Sequence, residues 1–210
     1  MLRKILNQVK DIVPPSGKVI GSTELQYMVD ASLDGWLTTG RFNEQFEKEL
    51  GDFIGVKHLI TVNSGSSANL VAFSTLTSPR LGDRSIKKGD EVIGVAAGFP
   101  TTVNPIVQFG AVPVFVDVDL KTHNINADLI EDAISPKTKA IMLVTANGRY
   151  PQSGIKAFED LCTKQNLILI EDSAQSLGSF YPDGRHIGTV GLAGSFSFSA
   201  PKIISTGQGG

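Results

Sequence analysis

The sequence lacks the features that mark secreted, membrane-spanning and polyanion-binding proteins. It contains one cysteine, Cys162, so no disulfide bond can form within the chain. Its 19 basic residues are balanced by 21 acidic ones without a long block of like charge, which argues against a nucleic-acid partner or an acidic membrane surface. No stretch approaches the roughly 20 apolar residues of a membrane-spanning helix. We therefore expect neither nucleic acid nor a membrane among its partners.

The start of the chain also lacks the apolar run of a signal peptide. The segment MLRKILNQVKDIVPP carries charged residues instead, and together with the single cysteine this predicts a cytoplasmic protein. The turn-forming VPPSG at 13–17 introduces one helical pattern, so residues 1–35 are predicted to form an N-terminal arm and helix. Residues 36–210 contain no low-complexity linker and are predicted to form one large domain.

Short apolar runs alternate with helical patterns along the chain. Strands are predicted at 58–63, 90–97, 111–118, 139–146, 166–172 and 195–199, and helices at 23–34, 43–54, 66–76, 127–134 and 155–165. This order predicts an α/β fold with a mostly parallel sheet between helices. Because ligands bind at the carboxyl ends of the strands in such sheets, functional residues are expected directly after strands.

A small polar turn follows the first predicted strand. Asn63, Ser64, Gly65, Ser66 and Ser67 pass straight into a helical pattern, and free backbone N–H groups at a helix start bind anions such as phosphate. The same residues are also typical of an ordinary helix N-cap. Both interpretations stay open from the sequence.

An acid and a lysine follow two later strands. Asp172 ends the apolar run NLILIED, where a buried carboxylate needs a cation or several donors; a protonated pyridine nitrogen and a simple capping role both satisfy that need. Lys202 follows SFSFS with the apolar neighbours Pro201 and Ile203, an environment that favours Schiff-base chemistry, whereas a single lysine is by default an exposed loop residue. An anion turn, an acid and a lysine in this order are the three anchors that pyridoxal phosphate needs.

From about residue 16 to residue 210 the chain resembles the DegT/StrS-like family of pyridoxal-phosphate sugar aminotransferases. The blocks that carry the resemblance are SLDGWLTTGRFNEQFEKEL, VNSGSSANL, GDEVIGVAAGFPTTVNPI, VPVFVDVD, IEDSAQSLGS and SFSFSAPKIISTGQGG. It implies that residues 36–210 are the cofactor-binding large domain of a fold-type I transferase, incomplete at its C-terminus. A smaller C-terminal domain is expected to be missing after GQGG.

The resemblance also assigns the residues of a pyridoxal 5′-phosphate site. The implied catalytic and cofactor-binding residues are Lys202, Asp172, Gln175, Ser66, Ser67, Ser197 and Phe99. Lys202 holds the cofactor covalently, Asp172 pairs with the ring nitrogen and Gln175 donates to the ring hydroxyl. The three serines bind the phosphate, and Phe99 stacks on the ring unless it is a plain core residue. No metal ligand is assigned.

The implied activity is transfer of an amino group, usually from glutamate, to a nucleotide-linked keto-deoxysugar in lipopolysaccharide or other cell-surface polysaccharide biosynthesis. Members of the family act as dimers with residues shared across the interface, so a homodimer or higher self-association is expected. Trp36 and the turn at 38–40 fall in a segment close to the family's active site, although simple packing explains Trp36 nearly as well.

Two departures keep other functions open. The blocks around GSSANL and VAAGFPTTVNPI are similar to the sugar 3-dehydrase branch, which uses pyridoxamine phosphate and has histidine at the lysine position, whereas this chain has Lys202. The segment TANGRYPQSG at 145–154 replaces a His-x-x-Gly turn, so Asn147, Gly148 and Arg149 either contact substrate or form a different surface loop. A cofactor-binding or regulatory remnant without turnover is the non-enzymatic alternative, and another fold-type I decarboxylase or lyase is disfavoured by SLDGWLTTG and AAGFPTTVNPI.

Overall fold

The computed structural model describes residues 19–210, so the predicted turn at 13–17 and the first half of the predicted arm lie outside the described residues. The helices are α1 (Ser22–Leu33), α2 (Arg41–Ile54), α3 (Gly65–Thr75), α4 (Pro100–Gln108), α5 (Ala127–Ala133) and α6 (Gly154–Gln165). The strands are β1 (Glu91–Val95), β2 (Val112–Val116), β3 (Thr138–Val144), β4 (Ile168–Asp172) and β5 (Ala193–Ser195). Short 3-10 turns occupy Pro79–Arg84 and Ala146–Gly148. Within 19–210, no helix has both the length and the apolar character needed to cross a membrane.

The five strands form one sheet in the order β2-β1-β3-β4-β5, and every neighbouring pair is parallel. Helices lie between successive strands for most of the sheet, which confirms the predicted α/β architecture. Consecutive residues of a strand face opposite sides, so Ile93 and Ile141 enter one core with Phe158 of α6, while Met142 enters the other core with Phe73 of α3. The sheet is therefore buried on both faces, as a parallel sheet requires.

The predicted strand at 195–199 is wrong. Only Ser195 belongs to β5, which begins earlier, at Ala193. The alternation in SFSFS arises from burial, because Phe196 and Phe198 pack on Leu50 of α2. Beyond Ser195 the backbone turns into a loop that folds back on itself, and the Phe198 N–H donates to the Gly209 carbonyl instead of to a neighbouring strand.

The predicted strand at 58–63 is also wrong, and α4 was not predicted. Val62 exchanges two backbone hydrogen bonds with Gly210, at 2.8 and 3.0 Å, but no regular strand forms around it. Helix α4 begins at Pro100, whose fixed φ suits the first helical position, and contains a second proline, Pro105. An interior proline is a sequence signal against helix, which explains why α4 was missed.

Candidate active site

Asp172 is the last residue of β4 and is 4% exposed. Its Oδ2 accepts hydrogen bonds from Asn69 Nδ2 at 2.8 Å and from Thr102 Oγ1 at 2.6 Å. Its Oδ1 accepts one longer bond, from the Ala174 N–H at 3.3 Å, and a capping role accounts only for this bond. One carboxylate oxygen is therefore saturated, and the other retains an open acceptor position among the described residues.

Asn69 and Thr102 were missed by the sequence analysis. Asn69 lies one turn after Ser66 in α3, and Thr102 lies one turn after Phe99 at the start of α4. Asn69 also accepts a hydrogen bond from the Ser195 hydroxyl of β5. Their i+3 spacing from two predicted site residues places them on the same side of each helix start, but nothing in the sequence shows that these positions meet Asp172.

The anion-binding turn lies at the N-terminus of α3. Ser64 is the N-cap, and its Oγ accepts from the Ser67 N–H at 3.1 Å. The Ser66 hydroxyl is exposed, and the N–H groups of Gly65 and Ser66 donate to no group in the described part of the chain. Ser197 lies against this turn: a Cβ added at Gly65 would be 2.7 Å from the Ser197 Cβ. The three predicted phosphate-binding serines, Ser66, Ser67 and Ser197, are thus brought to one helix start.

Lys202 is half-buried and follows Ser197 on the same loop. Its backbone N–H donates to the Ser199 carbonyl at 2.9 Å, and the Ser199 N–H donates to the Ser197 Oγ at 3.5 Å. The Lys202 Nζ forms no hydrogen bond or ion pair with any residue of 19–210. Ile203 is 70% exposed, so the apolar environment expected for the lysine does not come from this neighbour.

Phe99 precedes α4 and is 68% exposed, which rules out the alternative of a plain core phenylalanine. Its carbonyl accepts from the Thr102 N–H at 3.0 Å, and the Thr102 hydroxyl donates to Asp172. The exposed ring and the buried acid are therefore connected through the first turn of α4.

Gln175 is exposed and lies against the loop that follows β3. Its Oε1 accepts from the Asn147 N–H at 2.9 Å, and a Cβ added at Gly148 would lie 3.1 Å from the Gln175 carbonyl oxygen. Asn147 and Gly148 both have left-handed φ values, 56° and 73°. Because its oxygen is occupied, the Gln175 amide presents Nε2 as a donor. The TANGRY segment thus contacts a predicted site residue, whereas Arg149 donates to the Lys121 carbonyl at 3.2 Å.

Trp36 makes local contacts. Its Nε1 donates to the Thr39 carbonyl at 2.8 Å, and its ring lies 3.1 Å from the position of a Cβ added at Gly40. The side chain is 65% exposed, so these local contacts do not bury the ring, and a role near the active site stays a prediction.

Glu171 lies next to Asp172 on β4, and its side chain faces the opposite side of the sheet. The fully buried carboxylate accepts from the Tyr181 hydroxyl at 2.6 Å and from the N–H groups of Gly188, Val190 and Gly191. Burial, followed by the nearby Glu171 charge, raises the pKa of the Tyr181 hydroxyl. Glu171 therefore fixes the loop that leads into β5.

His186 lies in the same loop and is buried. Its Nδ1 lies 2.6 Å from the Ile187 carbonyl oxygen, and its Nε2 accepts from the Gly178 N–H at 2.8 Å. Since a ring nitrogen that accepts an N–H carries no proton, this is the neutral tautomer with the proton on Nδ1. Burial lowers the pKa of His186.

Comparison with known proteins places this arrangement in a family. The model of the DegT/DnrJ/EryC1/StrS aminotransferase family matches residues 18–210. The lipopolysaccharide biosynthesis protein RfbH of Salmonella typhimurium is 58% identical over 200 residues, which are 95% of this chain and 45% of that protein. The dTDP-4-dehydro-2,6-dideoxy-D-glucose 3-dehydratase of Saccharopolyspora spinosa is 42% identical over 198 residues, which are 94% of this chain and 42% of that protein.

A solved structure is similar in fold. The E. coli GDP-4-keto-6-deoxy-D-mannose-3-dehydratase with bound hydrated PLP has a TM-score of 0.87 at 30% identity, with 94% of this chain and 50% of that chain covered. This similarity confirms the predicted fold-type I architecture of the parallel sheet and its helices. The chain spans about half the length of these relatives. By its match over residues 18–210, the chain belongs to the DegT/DnrJ/EryC1/StrS aminotransferase family.

Proposed function

We propose that the protein is a pyridoxal-phosphate-dependent aminotransferase that acts on a nucleotide-linked keto-deoxysugar, with glutamate as the amino donor. The observation that carries the proposal is a lysine with a free Nζ, Lys202, on the loop that also brings Ser197 to the start of α3. The names of the relatives support the substrate class, because they refer to lipopolysaccharide biosynthesis and to the dehydration of dTDP- and GDP-linked keto-deoxysugars. We place the reaction in cell-surface polysaccharide biosynthesis in the cytoplasm.

The donors and acceptors of the site fit pyridoxal phosphate. Two free N–H groups and the Ser66 hydroxyl at a helix start suit a phosphate, and the tight contact between Gly65 and Ser197 keeps this cradle narrow. The open Oδ1 of Asp172 suits a protonated ring nitrogen, and the exposed ring of Phe99 suits stacking on a flat cofactor. Within residues 19–210, the two N–H groups and the Ser66 hydroxyl have no hydrogen-bond partner, and Asp172 Oδ1 accepts only from the Ala174 N–H.

The residues have distinct roles in the proposed reaction. Pyridoxal phosphate, when bound, supplies an electron sink for negative charge at the carbon beside the amino group. Lys202 would hold the cofactor covalently at rest; once the amine of the donor had taken its place, the released Nζ would accept the proton from this carbon and later return it. The Asp172 carboxylate stabilises a proton on the ring nitrogen, and Gln175 Nε2 donates to the ring hydroxyl. Phe99 covers one face of the ring and excludes water.

Dehydration of the sugar at C3 is the second candidate function. It is favoured by two of the relatives named above, which are 3-dehydratases. Lys202 argues against it, because the sugar 3-dehydrase branch has histidine at this position and Lys202 offers a primary amine for covalent attachment.

A labelling experiment tests the proposal on the 210-residue chain. The chain is loaded with pyridoxal phosphate, treated with [15N]glutamate and a GDP-linked 4-keto-6-deoxysugar, and the products are analysed by mass spectrometry. We expect 2-oxoglutarate and a sugar that carries the 15N label. A sugar that has lost a hydroxyl group and carries no nitrogen would overturn aminotransfer in favour of dehydration. Cofactor uptake without any conversion of glutamate would overturn it in favour of a cofactor-binding remnant.

We also propose that the chain self-associates, as a homodimer or a larger assembly. Every residue of α1 is exposed, including the apolar Leu25, Met28, Val29 and Leu33. Exposed apolar patches of this kind are typical of protein interfaces. Sedimentation equilibrium showing a clean monomer across micromolar concentrations would contradict this proposal.

A further inference from the structure

We infer that Thr102 and Asn69 are positioning residues that clamp Oδ2 of Asp172 and thereby present Oδ1 to the ring nitrogen of the cofactor. The inference rests on the proposed function for its cofactor. The clamp itself consists of residues of this chain alone, and it is described by hydrogen bonds at 2.6 and 2.8 Å.

The acceptor sites of the carboxylate are used unequally. Each carboxylate oxygen has about two lone-pair positions. Oδ2 receives both Asn69 and Thr102, so its positions are filled, whereas Oδ1 receives only the 3.3 Å bond from the Ala174 N–H. A pyridinium N–H that approaches the acid therefore finds its acceptor at Oδ1. A half-turn of the carboxylate only exchanges two equivalent oxygens, whereas an intermediate rotation would leave the two buried donors of Asn69 and Thr102 without an acceptor, which is costly.

The orientation of the Asn69 amide follows from the chemistry of its partners. An ionised carboxylate can only accept hydrogen bonds, so the amide must turn its NH2 group toward Asp172. Its second N–H then points to the Thr101 carbonyl at 3.4 Å, and its oxygen faces the hydroxyl of Ser195. Partners on three sides leave the Asn69 side chain no alternative orientation. Because Ser195 belongs to β5, the clamp also ties the acid to the strand that leads into the lysine loop.

Thr102 contributes through its hydroxyl group, which can be removed without a change of shape. Thr102→Val keeps the branched side chain and removes the donor, whereas Thr102→Ser keeps the donor and removes one methyl group. Thr101→Val is the matched control, because the neighbouring Thr101 hydroxyl makes no hydrogen bond within residues 19–210.

The first readout needs no cofactor. In crystal structures of the unloaded chain, we expect the Asp172 carboxylate to be turned or newly hydrated in Thr102→Val and to keep its orientation in Thr102→Ser and Thr101→Val. An unchanged carboxylate in Thr102→Val would overturn the clamp.

The second readout uses the loaded chain with [15N]pyridoxal phosphate. We expect Thr102→Val to weaken cofactor binding about tenfold, because a carboxylate that is no longer held in place forms a poorer hydrogen bond to the ring nitrogen. The 15N chemical shift of the ring nitrogen should move toward that of the unprotonated ring. Thr102→Ser should keep the affinity for the cofactor within about twofold of that of the unsubstituted chain. It should leave the 15N chemical shift of the ring nitrogen unchanged. Equal affinities and equal 15N shifts in Thr102→Val and the unsubstituted chain would overturn the positioning role.

The two proposals fail in different ways. If the unsubstituted chain takes up no pyridoxal phosphate, the proposed function fails, and the carboxylate orientations still decide whether the clamp exists. If the chain is loaded at Lys202 but Thr102→Val matches the unsubstituted chain in both readouts, only the clamp fails.

Discussion

The Asn69 side-chain amide donates to Asp172 Oδ2 at 2.8 Å across 103 positions of sequence. This bond joins the helix that begins with the anion-binding turn to the strand that ends with the acid. Its donor is 2% exposed and its acceptor 4%, so no solvent competes for it. Two features that the sequence presents as separate motifs are therefore parts of one rigid unit.

Removal of the Asn69 amide should destabilise the fold. Asn69→Ala leaves the buried Ser195 hydroxyl without its acceptor, takes one donor from Asp172 and opens a small cavity. We expect the free energy of unfolding to fall by about 2 to 4 kcal/mol in urea denaturation. Asn63→Ala is the control, because Asn63 is exposed, and it should change stability by less than about 0.5 kcal/mol. Equal effects at the two positions would contradict a structural role for the amide.

Lys202→Ala should abolish covalent attachment of the cofactor. Borohydride treatment of the chain loaded with pyridoxal phosphate fixes the cofactor to the attached lysine, which peptide mapping then locates. We expect the label on Lys202 and its loss in the alanine variant. Lys156→Ala, which removes a surface lysine paired with Asp160, should keep the label. A label retained in Lys202→Ala would show that another lysine holds the cofactor.

Asp172→Asn should slow amino transfer far more than it weakens cofactor binding. The amide oxygen can still accept from Asn69 and Thr102, so these two hydrogen bonds are kept and only the long bond from the Ala174 N–H is lost, but the charge that stabilises a proton on the ring nitrogen is removed. We expect single-turnover rates with glutamate to fall by orders of magnitude, and Asp132→Asn, at an exposed position, to leave them unchanged. A wild-type rate in Asp172→Asn would show that Asp172 only caps the turn that follows β4.

Tyr181→Phe should destabilise the loop before β5. The variant removes the 2.6 Å hydrogen bond to the buried Glu171 carboxylate, at an expected cost of about 1.5 to 3 kcal/mol. Tyr150→Phe is the control, because its half-exposed ring lies 6.0 Å from that of Tyr181 and its hydroxyl has no hydrogen-bond partner in 19–210. Thermal denaturation of the two variants and of the unsubstituted chain measures the difference. A loss as large for Tyr150→Phe would mean that ring packing is responsible.

The stability of the fold should decrease below about pH 6.5 because of His186. The pKa of His186 in the folded chain lies below its ordinary value of 6.5, since burial disfavours the charged ring. As the pH falls below 6.5 the unfolded chain takes up a proton that the folded chain refuses, so stability is complete above that pH and is lost below it, by at most about 1.4 kcal/mol per pH unit. His186→Gln should flatten this dependence between pH 5 and 7, whereas His58→Gln, at an exposed position, should not. An unaltered profile in His186→Gln would assign the dependence to other groups.

The sequence predicted those elements whose pattern is set by local burial. Four strands and five helices were found at their positions because period-2 and period-3.6 patterns reflect faces of a sheet and a helix. The alternation in SFSFS failed as a strand signal because Phe196 and Phe198 are buried in a loop. Propensity and periodicity do not show whether a segment lies beside another strand. Backbone hydrogen bonds to a neighbouring strand decide whether a strand forms.

Local signals predicted part of the candidate site. Asp172 ends β4, so the rule for parallel sheets located it, whereas the α3 turn was recognised from its own N-cap residues because the strand predicted before it does not form. Thr102 and Ser195 have ordinary neighbours in sequence, and their roles arise from contacts across 70 and 126 positions. Such pairings depend on the order of strands in the sheet, and one sequence contains no local signal for it.

The Asn69–Ser195 hydrogen bond also has a consequence for synthesis of the protein. Its two ends are 126 residues apart, and at about 5 to 20 residues per second Asn69 is made about 6 to 25 seconds before Ser195. For the first 103 residues of that interval α3 lacks Asp172, and for all 126 residues it lacks Ser195 of β5. The growing chain therefore carries an incomplete parallel sheet, whose exposed edge a ribosome-associated chaperone can cover until β5 is made.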